Sequence, residues 1–347
     1  MNPVSPAPGE TAPQSTVSVI LPTRNRVESL KETLARLSTQ ETGGRFTYEV
    51  LVVDNGSTDQ TRQVVERLAG TFPVPPRYVY EGRVGKPWAL NTGSRHAHGQ
   101  VFALIDDDVI PAANWLSALW SALVAQGADG VAGRVHPKWD PKPPSWMTPE
   151  ALHDLNRTGL GLLDHGSARR RSWRGQDCRW VGGNLAIRRE AASHLGPYDH
   201  RLIRGQDSEY YDRAIAQGLK ILYEPAAEVW HRVGADRATP DYLRAWRHRQ
   251  GRYTAQRIPW KATHLVTIMP LWRWAETVRI LGEWVRSLVA RRSWWRRFHA
   301  ELKVREELSV WAERLRQWTH RWRLAVTGRR HASRAASEEE LGHAWRR

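Results

Sequence analysis

The chain of 347 residues has a single cysteine, Cys178, so it cannot form an internal disulfide framework. One cysteine suits a reducing compartment, and we expect this thiol to be inert and semi-buried. Long apolar runs are also missing. The longest uncharged stretch, residues 262–272, is about eleven residues long and contains Pro270, whereas a membrane-spanning helix needs about 20 apolar residues. The sequence therefore predicts neither disulfides nor a transmembrane segment.

The beginning of the chain lacks the charged start and apolar run of a signal peptide. Residues 1–15 are rich in Pro, Ser, Thr and Ala, and we expect them to form a disordered lead. Zinc-finger spacing, an RNA-recognition signature and a clear helix-turn-helix pattern are absent as well. We therefore expect no nucleic-acid partner, and a cytoplasmic location with peripheral contact on the inner face of the cell membrane.

Positive charge is in excess, with 52 Lys and Arg against 36 Asp and Glu, a net charge of +16. Much of the excess lies after Arg244, together with many of the 19 tryptophans. Trp and Arg at helical spacing are typical of a membrane interface. These residues predict amphipathic helices that lie on an anionic membrane or, alternatively, pack on the protein or on a second subunit. The two apolar faces carry Trp274, Val278, Leu281, Val285 and Leu288, then Leu308, Trp311, Leu315, Trp318 and Trp322.

The first half of the chain alternates strand and helix patterns, which predicts an α/β fold with a doubly wound, mostly parallel sheet. We expect a catalytic domain over 16–240, a basic, Trp-rich helical region over 241–327 and a charged tail over 328–347. An extended loop is predicted over 137–149. The predicted strands are 17–21, 48–53, 77–80, 101–105 and 130–135, and the predicted helices are 27–38, 58–68, 88–97 and 112–125.

Three adjacent aspartates, Asp106, Asp107 and Asp108, directly follow the predicted strand 101–105. Parallel sheets bind ligands at the carboxyl ends of their strands. Adjacent carboxylates repel each other and are costly to bury without a counter-ion. Their hard oxygens suit Mg²⁺ or Mn²⁺, which commonly bridge to substrate phosphates. The alternative is an acidic turn that caps a helix beginning near Pro111.

Three segments resemble a known family when they are taken together. They are Val-Ser-Val-Ile-Leu-Pro-Thr-Arg-Asn-Arg at 17–26, Val-Val-Asp-Asn-Gly-Ser-Thr-Asp at 52–59 and Ile-Asp-Asp-Asp-Val-Ile-Pro at 105–111. From about Val17 to about His231, the chain is similar to family 2 glycosyltransferases of the GT-A fold. The resemblance implies a metal-dependent, inverting enzyme that uses a nucleotide-diphospho-sugar. Its acceptor would be a saccharide or a lipid-linked saccharide, in polysaccharide or cell-envelope glycan synthesis.

The resemblance implies that the loop after the first strand lies against the nucleotide. Its side chains could reach base or ribose, and an arginine could meet phosphate. Asn25 could instead simply cap the next helix. The residues implied to bind the nucleotide-sugar here are Pro22, Thr23, Arg24 and Arg26.

Further donor contacts are implied beyond this loop. Asp54 would contact the base, the alternative being an Asx-turn before Gly56. Lys86 is a candidate phosphate contact, and Asn91 is a candidate that binds the donor or holds the Asp106 loop.

The family pattern keeps the first and third carboxylates of the aspartate run. This implies that Asp106 contacts ribose, or the metal through water, and that Asp108 is a direct ligand of Mn²⁺ or Mg²⁺. Asp107 could substitute for either. His231 is a candidate for the metal or the leaving diphosphate, against ordinary packing, since imidazole is an acceptable ligand for Mn²⁺.

The acceptor side is implied by two further segments. Gly182, Gly183 and Asn184 resemble a glycine-rich sugar-binding segment, the alternative being a bulge at a strand start. Asp207 would be the catalytic base at a helix N-terminus, the alternative being a helix cap only. Similar enzymes carry Glu where this chain has Gln206, which also lies on the acceptor side.

Two other functions compete with a glycosyltransferase. A nucleotidyltransferase on a related sheet would need a glycine-rich phosphate loop after the first strand, and residues 21–25 contain no glycine. A non-catalytic membrane or nucleic-acid binder could retain the fold. The presence of Asp54, Asp108 and Asp207 together argues against it.

Overall fold

The computed structural model describes residues 17–140, 142–156, 158–172, 179–180, 182–202, 205–258, 268–290 and 292–344, and from residue 324 onward only the backbone. The expected disordered lead at 1–15, Cys178 and most of the uncharged stretch lie outside the described residues. The chain divides into two compact units, Met1–Ala238 and Thr239–Arg347.

The first unit is built on one nine-stranded sheet with the order β3-β2-β1-β4-β8-β6-β9-β5, and β7 pairs with β9. Its first four strands run parallel, and the antiparallel β8 joins them to the rest. The α/β fold class with a large, doubly wound sheet is thereby confirmed. The strands are β1 Val17–Thr23, β2 Tyr48–Asp54, β3 Pro76–Tyr80, β4 Val101–Ile105, β5 Val109–Pro111, β6 Gly130–Asp140, β7 Arg170–Ser172, β8 Asn184–Arg188 and β9 Ile221–Gly234.

Helices follow the strands as the alternating pattern predicts. The amphipathic pattern of α1 buries Leu30, Leu34 and Leu37, three residues at helical spacing. The helices of the first unit are α1 Val27–Leu37, α2 Thr61–Ala69, α3 Lys86–His96, α4 Trp115–Ala125, α5 Pro149–Asp154, α6 Arg189–Leu195 and α7 Gln206–Ala216.

The strands β1 and β4 lie at the centre of the sheet, and every residue of both is buried. Continuous apolar strands of this kind are typical of sheets that helices cover on both faces. Because the two strands run parallel, with Val17 opposite Val101, their carboxyl ends meet at one edge of the sheet. The segments that follow them therefore meet at that edge.

Several boundaries differ from the prediction, and two of these differences have a local cause. Helix α2 begins at Thr61 and not at residue 58, because Oδ1 of Asp59 accepts a hydrogen bond from the Thr61 amide at 3.1 Å. The predicted loop after residue 136 begins as strand, because β6 continues beside β9 as far as Asp140. Its pairing with β9 extends the strand past Pro137.

The described residues of the second unit form three helices, α8 Pro240–Arg257, α9 Leu271–Val289 and α10 Trp294–Ala344. Ion pairs join them, including Arg244 with Glu301 and Arg247 with Glu306. Among the described residues, no helix combines the length and the apolarity needed to cross a membrane.

Candidate active site

The aspartate run forms a turn between β4 and β5, at the carboxyl end of the central strand β4. The hydroxyl oxygen of Thr33 on α1 lies 3.1 and 2.9 Å from the carbonyl oxygens of Asp107 and Val109, which fixes the turn. Helix α4 begins only at Trp115, after β5. The turn therefore does not cap a helix, and the helix predicted at 112–125 begins three residues later than expected.

Two cations neutralise the turn, one from the loop at 24–26 after β1, named the donor loop for its predicted role, and one from α3. Nη1 of Arg26 lies 2.7 Å from Oδ2 of Asp108 and 3.1 Å from Oδ1 of Asp107. Nζ of Lys86 lies 2.5 Å from Oδ1 of Asp106. Burial alone would lower the pKa of Lys86, but the carboxylates of Asp106, Asp207 and Asp108 raise it above its usual value. The lysine is therefore held in its charged form.

The imidazole of His231 faces the third aspartate. Pairing of β5 with β9 sets His231 opposite Val109, and Nε2 lies 3.6 Å from Oδ2 of Asp108. Nη2 of Arg237 lies 3.6 Å from the same oxygen. Burial would raise the pKa of Asp108, but His231, Arg26 and Arg237 together hold it well below its usual range. Asp108 is thus an anion with basic groups around it.

A cleft of about 470 Å³ opens at this edge of the sheet. It brings together nine of the residues predicted from the sequence, and four more that were not predicted. The predicted residues that line it are Pro22, Thr23, Arg24, Arg26, Lys86, Asp106, Asp107, Asp108 and His231.

Asn55, Val84, Gly85 and Arg237 line the same cleft and were missed. Asn55 could have been predicted from the sequence, since it directly follows Asp54 in the motif at 52–59. Its side chain holds the segment after β3 in place, because Oδ1 of Asn55 accepts a hydrogen bond from the Gly85 amide at 2.6 Å. Arg237 follows β9 by three residues, and only the fold brings it to the turn.

Asp107 is more enclosed than its two neighbours. Thr23 donates a hydrogen bond to Oδ2 at 2.7 Å, and Arg26 donates to Oδ1. Burial raises the pKa of its carboxyl to about 6, against the opposing effects of Arg26 and Thr23. Asp107 therefore ties the turn to β1 and the donor loop, while Asp106 and Asp108 remain more accessible.

The candidate base lies beside the turn, at the start of α7. A Cβ built on Gly182 would lie 2.4 Å from Oδ2 of Asp207, and one built on Gly183 would lie 3.2 Å from Oδ2 of Asp106. The two carboxylates thus lie over consecutive glycines. Oδ1 of Asp207 is buried without a hydrogen-bond partner among the described residues.

Burial raises the pKa of the Asp207 carboxyl, and the charge of Lys86 opposes the rise. Gln206 is buried beside it, with Nε2 3.5 Å from Oδ2 of Asp207. Oε1 of Gln206 has no hydrogen-bond partner within the described part of the chain. The start of α7 therefore presents two buried oxygens, Oδ1 of Asp207 and Oε1 of Gln206, that bind no donor from the described residues.

Two predicted site residues, Asp54 and Asn91, form hydrogen bonds outside the cleft. Oδ1 of Asp54 accepts from the amide of Ser57, three residues later, at 2.8 Å, and Oδ2 accepts from the Tyr78 hydroxyl at 2.7 Å. An Asx-turn would instead use the amide of Gly56, two residues after Asp54. Asn91 exchanges two hydrogen bonds with the backbone of Tyr198. Neither residue lines the cleft.

Asn184 is fully buried in β8. Its Nδ2 donates to the carbonyl oxygens of Arg134 and Ala227, and Oδ1 accepts from the Trp115 indole at 2.8 Å. The amide therefore joins β6, β9 and α4 and does not face the cleft.

Asn25 does not act as the helix cap that the sequence allowed. It adopts a left-handed conformation with φ of 52°, and Oδ1 accepts from the Thr58 amide at 2.7 Å. The donor loop is thus tied to the segment after β2.

Acidic and basic groups of the cleft suit an anionic ligand with a divalent cation. Among the described residues, no cluster of three or more His, Cys, Asp or Glu side chains is arranged to hold a metal ion by itself. Asp108 and His231 are a pair of converging ligand types, and Asp106 lies in the same turn, so substrate and water could complete the coordination.

Comparison with known proteins agrees with this architecture. The chain is 28% identical to the glycosyltransferase AglE of Haloferax volcanii over 207 residues, 60% of this chain and 64% of that protein. It is 28% identical to the succinoglycan biosynthesis protein ExoM of Rhizobium meliloti over 229 residues, 65% of this chain and 70% of that protein. The match thus spans less than two thirds of the length of AglE.

Among solved structures, the fold is similar to the mannosyltransferase PcManGT from Pyrobaculum calidifontis, in complex with GDP-Man and Mn²⁺. The TM-score is 0.58 at 20% identity, covering 90% of this chain and 89% of that one. The model of the family described as glycosyl transferase family 2 matches residues 18–196, more than half of the chain. The protein therefore belongs to glycosyltransferase family 2 and has the GT-A fold.

Proposed function

We propose that the protein is a metal-dependent, inverting glycosyltransferase that uses a nucleotide-diphospho-sugar. One observation carries the proposal. The carboxylates of Asp207 and Asp106 lie over the consecutive glycines Gly182 and Gly183, so a candidate base adjoins the acidic turn. Lys86 is paired with Asp106, and the charge of Asp207 also raises its pKa. A base beside an anion-binding cleft is what transfer from a diphosphate leaving group requires.

The donor diphosphate fits the charge pattern of the cleft. Arg26, Lys86 and Arg237 are paired with the three carboxylates of the turn. These cations could leave the carboxylates and bind phosphate oxygens when a divalent cation neutralises the carboxylate charge. The nucleoside would lie along Pro22, Thr23 and Arg24, with Asp54 and Asn91 proposed as further donor contacts.

The divalent cation would be held by Asp108 and His231, with Asp106 acting directly or through water. The chemistry of this set fits Mn²⁺ or Mg²⁺, since carboxylate oxygen suits both and imidazole suits Mn²⁺. The ligand atoms of Asp108 and His231 already face each other at 3.6 Å. The bound cation would offset negative charge on the departing diphosphate.

Asp207 would supply the base. Its buried Oδ1, which has no hydrogen-bond partner among the described residues, would accept the proton of an acceptor hydroxyl while that oxygen attacks the anomeric carbon. The bond from the sugar to the diphosphate breaks in the same displacement, which inverts the anomeric centre. Its place in the first turn of α7 favours the ionised form through the helix dipole, whereas burial disfavours it. The acceptor would lie along Gly182, Gly183 and Gln206, with Asn184 also proposed from the sequence.

The proposed acceptor is a saccharide or a lipid-linked saccharide, in polysaccharide or cell-envelope glycan synthesis. The likeness to a succinoglycan biosynthesis protein supports this class.

A screen of nucleotide-sugars for release of nucleoside diphosphate tests the proposal. With the correct donor, release should need Mn²⁺ or Mg²⁺, stop with EDTA and fall sharply in the Asp207→Asn variant. Release of pyrophosphate instead would indicate the nucleotidyltransferase. A full panel of common donors without turnover or binding would favour the non-catalytic alternative.

A further inference from the structure

Helix α9 is amphipathic, but most of its apolar side chains are exposed, whereas a helix that packs on a core buries them. Its polar side faces the neighbouring helix α10, where Nε of Arg273 donates to Oε1 of Glu307 at 3.1 Å and Thr277 donates to the same oxygen at 2.6 Å. The side chain of Glu307 is almost fully buried. Although Ile280 is buried, most of the large apolar residues of α9 lie away from this polar side.

The apolar residues of α9 are largely exposed. Leu271 is 78% exposed, Val278 68% and Val285 51%, at intervals of seven residues along the helix. Residues spaced three, four and seven apart share one face. We call this the outer face, and it consists of Leu271, Trp274, Val278, Leu281, Val285 and Leu288. Contiguous apolar surface of this kind is unusual on a protein without a partner and marks an interaction site.

Exposed cations follow the outer face along the chain. Arg286 lies in the last turn of α9, Arg292 in the segment after it and Arg297 near the start of α10. None of these three forms an ion pair with a carboxylate of the described residues, unlike Arg273 and Arg279. Their charges are available to a ligand outside the chain.

The whole second unit is strongly basic. From residue 239 onward the sequence has 24 Lys and Arg against 10 Asp and Glu, so this part supplies +14 of the net charge of +16. Two copies of such a unit would repel each other when they approach, whereas an anionic surface would attract it.

We propose that the outer face of α9, together with Arg286, Arg292 and Arg297, is a docking surface for an anionic lipid bilayer. The helix would lie in the plane of the interface with its apolar side chains among the acyl chains, and the arginines would meet the headgroups. Trp274 at the edge of this face suits the interface, because its ring is apolar with one polar N–H group. The proposal is independent of the donor and acceptor of the reaction.

Co-sedimentation of the full chain with vesicles tests the proposal. Wild-type protein should sediment with phosphatidylcholine vesicles that contain phosphatidylglycerol, far less with phosphatidylcholine alone, and less as salt rises. The double variant Val278→Glu/Val285→Glu should lower the partition coefficient by at least about tenfold. Replacing Arg286, Arg292 and Arg297 by Gln should weaken the preference for the anionic vesicles, although the rest of the second unit stays basic.

Val124→Glu is the matched control, since Val124 is also a helical valine and is also 51% exposed, but lies in α4 of the first unit. It should bind vesicles like wild type. Unchanged circular dichroism and unchanged melting temperature show that each variant is folded. Three results would overturn the proposal: no binding to anionic vesicles, equal loss in the Val124 control, or a dimer in solution that the double variant dissociates.

Discussion

The carboxylate of Asp207 lies directly over Gly182, so that a Cβ at Gly182 would be 2.4 Å from Oδ2 and 2.5 Å from Oδ1. A second link joins the same segments, because the indole of Trp180 donates to the carbonyl oxygen of Asp207 at 2.9 Å. The glycine-rich segment and the start of α7 therefore fix the position of this carboxylate together. Any side chain at residue 182 must displace it.

We expect Gly182→Ala to lower kcat by about 10²-fold, since displacement of a catalytic group by about 1 Å has effects of that size. Overpacking should cost the fold about 1–3 kcal/mol. Turnover and thermal melting of the same sample separate the two effects. Gly70→Ala is the control, because a Cβ there makes only an ordinary contact at 3.6 Å. A variant that retains wild-type kcat would show that Asp207 need not occupy this position.

Asp207→Asn should lower kcat by about 10²–10⁴-fold, the scale of general-base loss. Donor affinity should stay within a few-fold, because the amide is nearly isosteric. Asp212→Asn on the same helix is the control, since Asp212 pairs with Arg179 at 3.1 Å and is not among the predicted site residues. Loss of donor binding with a normal residual rate would make Asp207 structural.

Asp108→Asn should nearly abolish turnover and weaken nucleoside diphosphate binding in Mn²⁺ or Mg²⁺. Asp108 accepts contacts from Arg26, His231 and Arg237, so its carboxylate is central to the cleft. Asp107→Asn is the comparison, because that carboxyl is tied to Thr23. Calorimetric titration of nucleoside diphosphate with and without metal measures the difference. Wild-type turnover that survives EDTA, or a larger loss of metal dependence in the Asp107 variant, would contradict the assignment.

Gln206→Glu should shift the acidic limb of the kcat–pH profile to higher pH by about one unit. A base must be ionised, so the rate falls as the pH drops through its pKa. Burial raises the pKa of Asp207, which sets this limb above the ordinary aspartate value of about 3.9. A second carboxylate beside Oδ2 would further favour the protonated form. Gln217→Glu, exposed at the far end of the same helix, should leave the profile unchanged. An unshifted limb in the Gln206 variant would rule out this effect.

The sequence determined the framework of the first unit. The apolar run at 101–105 and the pattern from Val27 place β4 and α1 within one residue of their observed ends. Such elements are specified locally, by continuous apolar strands and by apolar residues at helical spacing. Most of the donor loop and the aspartate turn could therefore be placed at one edge of the sheet from the sequence alone, since both follow parallel central strands.

Boundaries set by side chains or by pairing were harder to predict. Helix α2 begins where Asp59 binds the Thr61 amide, and β6 extends past Pro137 because β9 lies beside it. In the second unit, the sequence pattern gave the apolar face of α9. Only the structure showed that this face is exposed and that Arg273 and Thr277 point to a buried glutamate.

The tertiary structure alone decided which side chains meet. His231 reaches Asp108 because β5 and β9 pair in antiparallel register, and Arg237 reaches it from the segment after β9. The same packing directs Asn184 to three buried partners and turns Asp54 to Tyr78. A motif fixes the type of side chain and its place in a strand. The direction of that side chain depends on which donors and acceptors the distant parts of the chain bring beside it, because a buried polar group must find a partner.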